Sequence, residues 1–81
     1  MGIKPKFNVG DWVIDPDLIS GSESLVLIKS RIPVLEDLKP DWNYSGEAYE
    51  IKGNPLALHY KTTVTARESK FVALSSRIVG P

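Results

Sequence analysis

Near its start the chain reads Phe7-Asn8-Val9-Gly10-Asp11-Trp12-Val13-Ile14-Asp15. Side chains of an extended backbone point to opposite faces in turn, so Phe7, Val9 and Val13 share one face and Asn8, Trp12 and Ile14 the other. Gly10 inside such a run signals a bulge, a bend or a close backbone approach. Asp15-Pro16-Asp17 then stops it. A chain that opens this way is set up for a small, strongly bent sheet, with its first strand at about residues 7–15 after a short tail of residues 1–6.

The remaining segments continue the pattern. Residues 15–23 carry the proline, glycine, serine and aspartate of a loop. Leu18 and Ile19 within it either tuck back over the mouth of the sheet or form an exposed anchor for a partner. Residues 24–32 read as a second strand. Val26, Ile28 and Ile32 form its core side, because β-branched residues suit a packed strand. Leu25, Leu27, Lys29 and Arg31 form the other side, and Pro33 closes it. In residues 33–41, Val34, Leu35 and Leu38 have helical spacing between two prolines. That segment is one helical turn, a folded loop or an extension of the second strand.

A third strand covers residues 42–51. Trp42 and Tyr44 alternate in one parity, Tyr49 and Ile51 in the opposite parity, with Gly46 between the pairs. An extra residue bulged at Ser45-Gly46 would bring all four to one side. Unbroken pairing from residue 43 to residue 50 would refute that bulge. Lys52-Gly53-Asn54-Pro55 is a turn. A fourth strand over residues 58–66 places Tyr60, Thr62, Val64 and Ala66 on one face, and its threonines favour strand over helix. Phe71, Val72 and Leu74 are core candidates around a short helical turn near residues 68–74. Arg77-Ile78-Val79 reads as a last strand. Short strands joined by turns predict an all-β domain, and at this length a five-stranded barrel, because closure removes exposed edges.

Composition sets the outer limits. Eighty-one residues make one domain, here residues 7–81, with a small core. There is no cysteine, so no disulfide and no thiolate metal site reinforces it. Ten acidic and ten basic residues cancel, which argues against strong sequence-blind attraction to nucleic acid or to an anionic membrane. The longest apolar run, Leu25-Val26-Leu27-Ile28, is too short to span a bilayer. The basic start has no apolar stretch after it. The expectation is a soluble, cytoplasmic protein with no membrane partner.

The Phe7-x-Val9-Gly10-Asp11-Trp12-Val13 opening, the apolar second strand, Trp42-x-Tyr44 and the late Arg67-Glu68-Ser69-x-Phe71 segment together resemble small SH3-like barrels of the KOW and Tudor kind. The resemblance covers nearly the whole chain. It implies a five-stranded SH3-like barrel with a short turn before the final strand, and it does not specify a ligand. The acidic specificity loop and Ala-Leu-Tyr-Asp-Tyr-like start of proline-rich-peptide-binding SH3 domains are not found here.

Catalysis and metal binding have little to draw on. The single histidine, His59, lies beside Tyr60 with no nucleophile-elbow serine. Asp11, Asp15 and Asp17 do not continue into an EF-hand loop, and the better reading is a solvated turn. No catalytic residue, cofactor or metal is expected. The aromatic residues Trp12, Trp42, Tyr44, Tyr49 and Tyr60 are the best functional signal. Trp12, in antiphase with the core residues, is expected to be at least partly exposed, or covered by the 15–23 loop. The expected partner-binding surface comprises Trp12, Leu18, Ile19, Leu25, Leu27, Lys29, Arg31, Trp42 and Tyr44. The first expected function is a non-catalytic protein-interaction or adaptor module, with a protein partner or a second copy as a homodimer. The second is a KOW- or Tudor-like module on nucleic acid, drawing on Lys29, Arg31, Lys61, Arg67 and Lys70. The third is a regulatory subunit of a larger enzyme.

Overall fold

The computed structural model describes residues 4–19 and 22–74, apart from the side chains of 17–19 and 22–23. Five strands follow one another: β1 Trp12–Ile19, β2 Ser22–Glu36, β3 Lys39–Lys52, β4 Ala57–Arg67 and β5 Val72–Ala73. A 3-10 turn, Glu68–Lys70, precedes β5 and falls inside the predicted 68–74 window. All the pairings are antiparallel, in one sheet of order β4-β3-β2-β1-β5. The all-β expectation holds. Among the described residues β4 and β5 do not pair, so the sheet is not closed. The last strand expected at residues 77–79 lies outside the described residues. No helix among the described residues is long and apolar enough to cross a membrane.

The first strand begins later than the alternation predicts. Residues 8–11 form a turn: the Asp11 amide donates to the Asn8 carbonyl at 3.0 Å, and the Asn8 amide to the Asp11 carboxylate at 2.9 Å. Gly10 has φ +97°, which a turn of this kind requires at its third residue. Gly10 is therefore the bend. The turn breaks the alternation, so Phe7 and Val13 are buried while Val9 is exposed.

The predicted loop at residues 15–23 is instead the end of β1 and the start of β2, paired through Ile19 and Ser22. Pro16 fits because the β1–β2 register is irregular between Asp15 and Ile19, and β5 pairs only with Val13 and Ile14. Of the three readings of residues 33–41, strand extension is the one observed. Pro33 does not close β2, because the β1 register ends at Trp12 opposite Leu27. Past Ile28, which still bonds to Gly10 and Asp11, β2 has an open edge, where a strand proline is tolerated.

The bulge expected in β3 is not there. β3 pairs residue for residue with β2 from Asn43 to Tyr49 and with β4 from Asn43 to Lys52. The extra residues sit in its neighbours, Lys29 in β2 and Lys61 in β4. Each one reverses the alternation of its own strand. Past Lys29, Ile32 turns away from the core and is 56% exposed, and Arg31 swings to the core side opposite Tyr44. Past Lys61, Tyr60 parts from Val64 and Ala66 and lies opposite Tyr49.

One face of the sheet therefore carries the core: Phe7, Val13, Val26, Ile28, Tyr44, Ala48, Val64 and Phe71, with Trp42, Ala66 and Ala73 packed against it. Burial of each large side chain contributes about 1.5–3 kcal/mol. Tyr44 is its centre, edge-on to Phe7 at 5.5 Å and to Phe71 at 6.2 Å. Its hydroxyl donates to Glu68 Oε2 at 2.6 Å and accepts from the Phe7 amide at 3.2 Å. The Lys6 amide donates to the same carboxylate oxygen at 2.7 Å. Glu68 thus ties the N-terminal segment to the 3-10 turn. Burial, followed by the bond to Glu68, pushes the Tyr44 phenol above its ordinary pKa.

Candidate partner-binding face

The opposite face of the same sheet is also apolar. Its order follows from register: Ile14 lies opposite Leu25, Leu25 opposite Tyr49, and Tyr49 opposite Tyr60. Beside that row, Trp12 lies opposite Leu27 and Ile51 opposite Leu58. Trp12 and Tyr49 have ring centroids 5.6 Å apart, and Tyr49 and Tyr60 5.8 Å. The three rings form a file across the sheet, with Leu25 and Leu27 of β2 in the gap between β1 and β3. Such tilted and edge-on contacts suit the ring quadrupoles.

The phenols in the file have partners. Tyr49 donates to Glu47 Oε1 at 2.9 Å, and this bond pushes its pKa up. The Tyr60 hydroxyl lies 3.1 Å from Thr63 Oγ1. Tyr60, Ile51 and Leu58 are nonetheless exposed, Tyr60 to 57%. A cleft of about 410 Å³ opens beside the file, lined by Ile14, Ser24, Leu25, Tyr49, Glu50, Ile51 and Leu74. Its rim is charged: Lys52 lies 3.3 Å from Glu50, and Lys61 lies 3.9 Å from Glu50 and donates to Ser24 Oγ at 2.9 Å. An apolar floor with a few polar groups at its edge favours a protein surface or an apolar side chain as occupant.

The structure divides the residues expected from sequence. Trp12, Leu25 and Leu27 stand together on this face, each half-buried. Lys29 is exposed at its bulge. Arg31, Trp42 and Tyr44 belong to the other face. Tyr44 is fully buried, and Arg31 donates to the Phe7 carbonyl and to Asn8 Oδ1, both at 2.7 Å, with its guanidinium 5.6 Å from the Trp42 ring centre. The side chains of Leu18 and Ile19, and with them the question of a loop over Trp12, lie outside the described residues.

Sequence reasoning missed Tyr49, Ile51, Leu58 and Tyr60 as members of the face. The signal was the plain antiphase of Tyr49 and Ile51 with Trp42 and Tyr44, which a bulge in β3 would have erased. Among the described residues no group of three or more His, Cys, Asp or Glu could hold a metal ion. The chain matches no protein-family model, no curated protein and no solved structure.

Proposed function

We propose that this chain is a non-catalytic protein-interaction module that holds its partner on the face opposite its core. The observation carrying this reading is the Trp12–Tyr49–Tyr60 file beside the cleft. Rigid aromatic rings supply contact area with few rotamers to freeze, and exposed apolar patches of this kind mark docking surfaces. The meander order and the 3-10 turn before the last short strand support an SH3-like barrel as the fold behind it.

The test is photo-crosslinking from position 60, with Trp12→Ala as the control. A partner protein captured by the wild type and lost in the folded Trp12→Ala variant is the expected result. Capture that ignores Trp12 overturns the reading. Nucleic acid as the partner predicts binding to mixed oligonucleotides that weakens steeply with salt. We place it second, because Arg31, Lys61 and Arg67 are already engaged by Phe7 and Asn8, by Ser24 and Glu50, and by Glu36 and Asn43.

A further inference from the structure

β2 and β3 run on together past the rest of the sheet. The β1 register on β2 ends at Leu27 and the β4 register on β3 ends at Asn43. Beyond these points the two strands form an arm joined at Asp37 and Leu38. Apart from Trp42, which packs on the core, and the half-buried Val34, the arm gives its large apolar side chains to solvent: Ile32, Leu35 at 69% and Leu38 at 88% exposed. Asp37 and Leu38 both hold positive φ, at +50° and +65°. A two-residue hairpin turn of this shape calls for Asn-Gly or Asp-Gly, because a Cβ is disfavoured there. A leucine in that position, strained and bare, points to a use outside its own chain.

The cleft lies at the other end of the molecule. From Lys39 to Ile51 along β3, at about 3.3 Å per residue, is roughly 40 Å. The longest dimension of the whole chain is 47 Å. A tip that far from its own cleft cannot fill it. Two copies laid side by side in antiparallel fashion bring each tip to the other's cleft, as a two-fold interface requires. The charges suit that arrangement. Arg67 takes up Glu36 at 2.8 Å, leaving Asp37 and Asp41 against Lys39 at the tip. At the cleft Lys61 is taken up by Glu50 and Ser24, and Lys52 stands exposed beside Glu50. Lys52 is thus the exposed cation that an acidic tip can meet at the cleft.

We propose that the chain forms a two-fold dimer in which the Leu38 tip of each copy enters the cleft of the other, beside Leu25 and Ile51. This rests on the reading of that face as a docking surface and names its occupant. Sedimentation velocity on the full chain tests it, with Leu38→Asp at the tip, Ile51→Asp at the cleft and circular dichroism to confirm folding. The wild type is expected to be dimeric. Each single variant should associate at least about tenfold more weakly. An equimolar mixture of the two should regain dimers, because a mixed pair keeps one intact tip and one intact cleft.

Leu38→Gly, which suits the turn, keeps the tip folded and should weaken the dimer as Leu38→Asp does. A wild-type dimer indifferent to Leu38→Asp overturns the proposal. So does a mixture that fails to reassociate. So does a monomeric wild type that dimerises once residues 75–81 are removed, since those residues would then be the cleft's occupant. A monomer at every concentration that still crosslinks another protein through Trp12 overturns the dimer and leaves the docking surface standing. Loss of Trp12-dependent capture together with a monomeric wild type overturns both.

Discussion

Tyr44 and Tyr49 belong to the same strand and do opposite things. Tyr44 is buried between Phe7 and Phe71, and its hydroxyl is consumed by Glu68 and the Phe7 amide. Tyr49 lies between Trp12 and Tyr60 on the opposite face, which buries Ile14 but leaves Tyr60, Ile51 and Leu58 exposed, with its hydroxyl on the neighbouring Glu47. β3 is regular, so parity alone separates them. The core face is finished and intolerant of change; the other is built as carefully from rings and aliphatics but is left open. A sheet that leaves Tyr60, Ile51 and Leu58 exposed beside Tyr49 has an apolar patch available for another molecule.

The largest expected effect lies at Gly46, on the core side of β3. A Cβ there would collide with the Leu27 carbonyl oxygen and come within 2.8 Å of Val26 Cγ1. The first obstacle is backbone and cannot step aside. Gly46→Ala is expected to cost about 2–4 kcal/mol in urea denaturation. A variant within about 0.5 kcal/mol of wild type would mean that the centre of the core is loosely packed.

The two tyrosines give the next test. Tyr44→Phe removes a buried hydroxyl and strands the Phe7 amide, which should cost about 1–2 kcal/mol. Tyr49→Phe removes a hydroxyl bonded to the neighbouring Glu47 and should leave the denaturation midpoint close to that of wild type. Equal losses would erase the distinction between the faces. The pH dependence follows the same line. The Tyr44 pKa in the folded chain lies above its ordinary value of 10.0. Stability from that phenol is complete below pH 10 and is lost as pH rises through the folded pKa. Denaturation midpoints should therefore fall above pH 10, more steeply in wild type than in Tyr44→Phe.

Much of this division was legible in the residues. Alternation along Leu25-Val26-Leu27-Ile28 separates core from open face without error, since β2 is regular there. The antiphase of Trp12 with Val13 puts it on the face opposite the core, where it stands half-buried beside Tyr49. What could not be read is which strand of a pair carries the extra residue. Lys29 and Lys61 look like ordinary outward lysines, and a bulge is a property of two strands, of which a sequence shows one at a time. That single ambiguity put Ile32 in the core, Arg31 on the open face and Tyr49 with Tyr44. The prolines misled for a related reason. Pro16 and Pro33 read as strand ends, yet both stand where β1 or β2 lacks a neighbour, a fact of tertiary arrangement.

The arm offers the smallest effect and one of opposite sign. Substitutions on the core face lose stability because the fold uses every atom there. At Leu38 the fold uses nothing: the side chain is bare and its backbone sits at φ +65°. Leu38→Gly removes the Cβ that disfavours this conformation and should raise stability by about 0.5–1 kcal/mol, read as a higher urea midpoint at unchanged slope. Glycine also widens the unfolded ensemble, which sets the gain below the full left-handed penalty. The measurement belongs at a concentration low enough to keep copies apart, because association stabilises the wild type by mass action. At high concentration the ranking should invert, with wild type the more stable. A gain that persists at every concentration would show that Leu38 is only a poor turn residue; an inversion would show that its strain is offset by contact with another copy.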